Sequence, residues 1–175
     1  MNPLIQLRKT LILPLLIPLF LACFAAVFIS ASTPAVAADQ VPFNASFTTE
    51  FTTEFVPPFY LRVFVTGQGN ASHMGRTSAV TTDQLINLAD GTGTATYTLT
   101  GANGDTVVVA ISAHNTNIPG GVMFAGDYTV TGGTGRFDGA TGSGFIAGAA
   151  FNTGPNTGVG SFTLSGTISS PGGGH

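Results

Sequence analysis

From Phe43 onward the chain alternates between apolar and polar positions. Phe43, Ala45, Phe47, Thr49, Phe51, Thr53 and Phe55 share one parity; Asn44, Ser46, Thr48, Glu50, Thr52 and Glu54 share the other. A period of two sets one face against a core and the other in water, as on a half-buried strand. The spacing of four between the phenylalanines also fits a helical stripe. The intervening threonines decide for the strand, because β-branched side chains lose rotamer freedom in a helix and suit a pleated surface. Pro57-Pro58 marks a break. Residues 59–70 alternate again, with Phe59, Leu61, Val63 and Val65 on one parity and Tyr60, Arg62, Phe64, Thr66 and Gln68 on the other. Residues 71–82 read as a weaker strand, and 83–90 as either a strand end or a short helical turn.

Residues 91–101 place Thr92, Thr94, Thr96, Thr98 and Thr100 on one face and Ala95, Tyr97 and Leu99 on the other. Asn103-Gly104 predicts a tight hairpin turn with both residues at positive φ. The return strand carries Val107, Val109 and Ile111 on one side. After Pro119-Gly120-Gly121, a further strand sets Val122, Phe124, Tyr128 and Val130 on one parity. The Gly-rich stretch 132–142 predicts a corner, with glycines at unusual dihedrals and a short helical turn seating Phe137. Residues 143–151 then place Phe145, Ala147, Ala149 and Phe151 on one face. Beyond the turn at Gly154-Pro155-Asn156, residues 158–169 set Phe162, Leu164 and Ile168 inward and Thr163, Ser165 and Thr167 outward.

About eight short strands with turn signals between them predict an all-β sandwich or barrel. Charge favours the barrel. Open sheets expose edges that proteins usually blunt with lysine or other charges. Here charged residues are 7% of the chain and no lysine follows Lys9. Closing the sheet removes the edges and the need for charge together. The expected fold is therefore a single eight-stranded antiparallel up-and-down β-barrel over residues 39–170, with a flexible tail at 171–175. Such a barrel holds either packed side chains or one small ligand.

The first 38 residues follow a different pattern. Arg8-Lys9 precedes an apolar run from Leu11 to Ile29, which leads into Ala35-Val36-Ala37-Ala38. A basic start, an apolar middle and a small-residue end are the parts of a secretory signal peptide, with cleavage after Ala37 or Ala38. Pro14 and Pro18 argue against an uncleaved helical anchor, so no stable membrane span is expected after cleavage. The apolar residues after Cys23 argue against a lipid-modified terminus at that cysteine. The expectation is an exported protein, secreted or periplasmic. The remaining 137 residues, 39–175, hold three arginines against eight acidic residues, a net charge of −5, and no cysteine. That excludes a disulfide framework and a thiolate metal site. An acidic chain also lacks the basic footprint of a nucleic-acid partner.

Other chemistry is thinly supplied. Glu50 and Glu54 lie four apart on one strand, about 13 Å at ~3.3 Å per residue, whereas paired-carboxylate hydrolysis needs about 5–9.5 Å. The glycine run at 132–135 lacks the strand-to-helix context of a phosphate loop. His73, His114 and His175 are too dispersed in sequence for a metal site, and neither a metal nor a cofactor is expected. The threonine ladder at 92–100 is explained by strand propensity and uncharged solubility.

Three strings carry a resemblance. Val130-Thr131-Gly132-Gly133-Thr134-Gly135-Arg136-Phe137-Asp138-Gly139-Ala140 looks like the signature of the allene oxide cyclase-like barrels, a superfamily that includes plant allene oxide cyclases and dirigent proteins. Ala71-Ser72-His73-Met74-Gly75-Arg76 and Ala102-Asn103-Gly104-Asp105 resemble strings in small exported bacterial proteins carrying the same corner. The resemblance implies an eight-stranded antiparallel barrel over roughly residues 41–169. The plant cyclases convert an unstable epoxide to a cyclopentenone with an acidic group, ordered water and a shaped apolar cavity. Their N-terminal catalytic pattern has no residue-by-residue counterpart here.

Two functions follow as expectations. The first is a barrel that binds a small apolar molecule, with Tyr97, Phe124, Tyr128 and Phe162 as ligand-binding residues, or that serves a structural envelope role. The second is an isomerase, cyclase or dirigent-like activity in the same cavity. It draws on His73 and Arg62 as catalytic candidates, with Tyr97 and Tyr128 as further titratable groups.

Overall fold

A computed structural model describes residues 39–169, 171 and 172. The expected signal segment, residues 1–38, and the end of the expected tail, 173–175, lie outside them. Eight strands run in order: β1 (Gln40–Val56), β2 (Tyr60–Ala71), β3 (Gly75–Asn87), β4 (Thr92–Gly101), β5 (Thr106–Ile118), β6 (Gly121–Gly133), β7 (Gly142–Asn152) and β8 (Thr157–Ser169). Each pairs antiparallel with the next, and β8 returns to β1, closing the barrel. The closing ladder runs from Gln40–Ser169 to Thr52–Thr157. With the sheet shut, the edge amides that charge would otherwise have to protect are paired.

The register fixes the shape of this barrel. Across the ladders, Phe55 faces Leu61, then Ile86, Gly93, Ala113, Gly126, Ile146 and Leu164, and the circuit returns to β1 at Ala45, ten residues from its start. A stagger of ten over eight strands, with ~3.3 Å rise and ~4.8 Å spacing, tilts the strands by about 40°. A barrel of this size is filled by side chains or holds one small ligand.

The alternation holds in β1, β4, β5 and β8. Phe43, Phe47, Leu99, Val107, Val109, Leu164 and Ile168 are buried, while Phe64, on the polar parity of β2, is 49% exposed. On β7 the set Phe145, Ala147, Ala149 and Phe151 does share a face, and it is the outer one: Phe145 is 50% and Phe151 46% exposed. The inner face of β7 carries Ile146 among small residues, because rings from neighbouring strands lie across its glycines. A Cβ at Gly148 would stand 2.5 Å from Phe124 Cζ, and one at Gly144 would stand 2.7 Å from Tyr128 Cε1.

The ambiguous stretch at 83–90 is strand as far as Asn87. The β3–β4 register shifts between Thr81 and Asp83, and the β2–β3 register between Arg62 and Thr66. One extra residue there moves the inward parity from Thr77, Ala79 and Thr81 to Gln84 and Ile86, which obscures the period in the sequence. In the gap in the β2–β3 ladder, the Val65 amide donates instead to Thr81 Oγ1 at 2.8 Å. The turn at Asn103-Gly104 also departs from expectation. Gly104 has φ 86°, but among the described residues His73 is the non-glycine at positive φ, so Asn103 is not. The Gly101 amide donates to Asp105 O at 2.9 Å and the Gly104 amide to Gly101 O at 3.0 Å, a wider turn that needs only one left-handed residue.

One end of the barrel is plugged. The Gly-rich corner forms the short 3-10 turn expected there, Gly135–Phe137, which lays Phe137 over the barrel at 1% exposure. Arg136 ties this plug down: Nε donates to Asp105 Oδ2 at 3.0 Å and Nη2 to His73 O at 2.9 Å. The three strings that carry the family resemblance thus meet around one guanidinium. Beneath it, Phe43 and Tyr128 pack edge to face with centroids 6.5 Å apart, alongside buried Met74, Leu99, Val107 and Ile168.

Candidate functional site

The opposite end is open. A cavity of about 460 Å³ lies among the ends of the strands that meet in the β1–β2, β3–β4, β5–β6 and β7–β8 turns, with a lobe of about 40 Å³ beside it. Volumes of ~300–1,000 Å³ are typical of small-molecule sites. On β4, β5 and β8 the inward positions shrink or turn polar toward this end, which opens space that Leu61, Ile86 and Phe124 do not fill. β5 reads Val107, Val109, Ile111, Ala113, Asn115 and Asn117 inward, from plug to mouth. β8, running the other way, offers Gly158 and Gly160 at the mouth before Phe162 and Leu164.

An aromatic layer separates the two halves. Phe162 stacks on Phe47 with centroids 4.9 Å apart, and Tyr97 meets Phe162 edge-on at 5.3 Å. Tyr97, Phe124 and Phe162 line the cavity above this layer. Leu61, Val63, Val65 and Ile86 form part of its wall.

Its polar groups are amides, hydroxyls and one carboxylate. Tyr97 donates its hydroxyl to Gln84 Oε1 at 3.1 Å, which leaves the Gln84 amide hydrogens for an occupant. Burial pushes the Tyr97 phenol well above the ordinary tyrosine range, so it stays a neutral donor. Asn115 Nδ2 donates to Gly91 O at 3.0 Å and so anchors the β3–β4 turn to β5. At the rim, Asp90 accepts from the Thr92 hydroxyl at 2.7 Å and from its amide at 2.9 Å. Those bonds, the hydroxyl's first, hold its carboxyl below the usual range.

The site residues expected from sequence fall into separate places. Tyr97, Phe124 and Phe162 come together in the cavity. Tyr128 lies in the plugged half, 1% exposed, with its hydroxyl buried and without a hydrogen-bond partner. His73 sits at the plugged end with φ 64°, its Nε2 3.0 Å from Pro42 O. Its carbonyl serves as an anchor for Arg136. Arg62 is on the outer wall, 3.6 Å from Glu54. Among the described residues, Asp90 is the one acidic or histidine side chain lining the cavity, and no arginine lines it. Sequence reasoning missed Gln84 and Asn115. Gln84 is hidden by the bulge that reverses parity in β3, whereas Asn115 continues the Val107 parity and was legible once that face was known to be inward.

No family model and no curated protein matches the chain. Among solved structures, the pterocarpan synthase dirigent protein GePTS1 is similar over 76% of this chain and 93% of that one, at 10% identity and a TM-score of 0.46.

Proposed function

We propose that the protein binds a small, uncharged, largely apolar molecule in the open half of the barrel. The observation that carries this reading is the cavity itself: about 460 Å³, aromatic at the floor, open at one end and lined by no cation among the described residues. A buried carboxylate ligand would pay a desolvation cost of several kcal/mol with no partner charge, and Asp90 at the rim opposes it further. A neutral molecule with one or two hydroxyl or carbonyl groups instead finds Gln84, Asn115 and the phenol of Tyr97. Acid–base catalysis in the same space has little to draw on, since His73 and Arg62 lie outside it. Guidance of a reactive neutral molecule by shape remains compatible with the same walls. In this reading the chain acts outside the cytoplasm, supported by the basic start, apolar run and Ala35–Ala38 end of its first segment.

The test is native mass spectrometry after incubation with a mixed lipid and phenolic extract, and then with a long-chain alcohol and its matching fatty acid. A retained mass is expected for the alcohol, with at least a tenfold preference over the acid, as ~1.4 kcal/mol would give. Ala150→Trp fills the cavity from β7 and should abolish retention while the thermal midpoint is kept. Clean spectra throughout, or a mass retained equally by the filled variant, overturn the reading.

A further inference from the structure

We infer that the open end docks on an uncharged lipid surface, with the β1–β2 and β3–β4 turns as the contact. The inference rests on the ligand-binding reading, because it concerns how an apolar ligand reaches the cavity. Four large side chains stand in water at this lip: Phe55 (57% exposed), Phe59 (58%), Leu88 (53%) and Tyr60 (41%). Their backbones are neighbours at the β1–β2 and β3–β4 turns. The Leu88 amide donates to Phe59 O at 2.7 Å, Tyr60 pairs with Asn87, and Phe55 pairs with Leu61. The β1–β2 hairpin also rises past the end of β8, since the closing ladder stops at Thr52 while β1 continues to Val56. An apolar cluster projecting this way marks a surface that leaves water when it works.

Two observations favour lipid as the occupant. The first is continuity with the cavity: Leu88 belongs to both lip and lining, as does Leu61 behind Phe55. A ligand that dissolves poorly in water must cross this lip, and contact with a bilayer lets it cross without entering water. The second is charge. The ions of the lip are Asp90 and the Arg62–Glu54 pair, which neutralises itself at 3.6 Å. Among the described residues, no basic cluster stands at the lip to hold anionic headgroups. Phenylalanine and leucine at the tip with a tyrosine just behind match the apolar-to-wet gradient of a headgroup region.

The chain has no tryptophan, so one introduced indole reports on its own position. Phe59→Trp would be compared with Phe145→Trp, which sits half-exposed on the outer wall of β7 beside Asp127. Both are made in the full chain, so any vesicle capture by other segments is common to the two. With phosphatidylcholine vesicles containing brominated lipid, Phe59→Trp should shift to the blue and be quenched, and Phe145→Trp should not change. The response should persist from ~0.1 to ~1 M salt and weaken on phosphatidylserine vesicles. Adding Phe55→Asp to the Phe59→Trp variant should raise the lipid concentration for half response about tenfold. A silent indole at position 59, or quenching at position 145 instead, overturns the inference and leaves the lip to a protein partner. The readout needs no cavity ligand. A silent lip with a retained ligand mass therefore defeats docking alone, and a responding lip with clean mass spectra defeats the ligand reading alone.

Discussion

The two halves of this barrel are built on the same eight strands and differ in what those strands turn inward. Toward the plug, facing positions hold Phe43, Tyr128, Leu99, Val107 and Ile168, with Phe137 as a lid. Toward the mouth, the smaller or polar Thr49, Thr53, Asn115, Asn117 and Ala150 stand among Phe51, Leu61, Ile86 and Phe124 and leave space between them. Strand order, tilt and ladder bonding are common to both, so the hydrogen-bonded cage does not decide which half is hollow. The volume of inward side chains does. The comparison teaches that stability and binding are separable along one strand. β5 and β8 contribute buried aliphatic residues at one end and cavity wall at the other, Val109 against Asn115 and Ile168 against Phe162, six residues apart or ~20 Å at ~3.3 Å per residue.

Removing the lid is the largest test of that separation. Phe137→Ala should destabilise the fold by about 3–5 kcal/mol, read as a lower denaturant midpoint. The variant should still retain its ligand mass under conditions where it remains folded. Loss of retention with the fold intact would mean that the halves are coupled.

The tyrosines sharpen the comparison at smaller scale. Tyr128→Phe removes a buried hydroxyl that has no partner, so stability should stay level or rise by up to about 1 kcal/mol. Tyr97→Phe removes the donor to Gln84; it should cost about 1 kcal/mol or less and weaken ligand retention. Urea midpoints for the two variants should therefore move in opposite directions or differ clearly. Equal losses would put a working hydrogen bond in the plugged half as well.

The smallest effect concerns acid. Hydrogen bonds from Arg136, and then from Asn103, hold the Asp105 carboxyl below its usual range. A carboxyl lowered in the folded state stabilises the fold fully above the unfolded value and loses that contribution as pH falls through the folded one. Unfolding midpoints should thus decline below about pH 4, and Asp105→Asn should flatten that decline. A decline of equal steepness in the variant would show that the Arg136 anchor contributes nothing to the acid limb.

Much of the barrel was readable in the chain. Strict alternation in β1, β4, β5 and β8, glycine-rich corners and the scarcity of charge pointed to a closed all-β structure, and the corner at 132–142 already suggested a seat for Phe137. Other features were not readable. The parity reversal at Thr81–Asp83 depends on a bulge, which is a pairing event between strands. The outer position of Phe145 and Phe151 depends on which neighbouring rings claim the inner glycines of β7. Tyr128 and Tyr97 share an inward parity yet lie in different halves, because parity gives a face and says nothing of depth.

The amino-acid sequence by itself determined that this chain forms strands, which side chains face the core along most of them, and that a sheet so poor in charge closes on itself. Only the tertiary structure decided the ten-residue stagger, the convergence of His73, Asp105 and Arg136 at one end, and the hollow at the other. The physical reason is range. Alternation and turn chemistry act between near neighbours, whereas the filling of a barrel is set by side chains from eight strands meeting at one depth, and that depth is fixed by register alone.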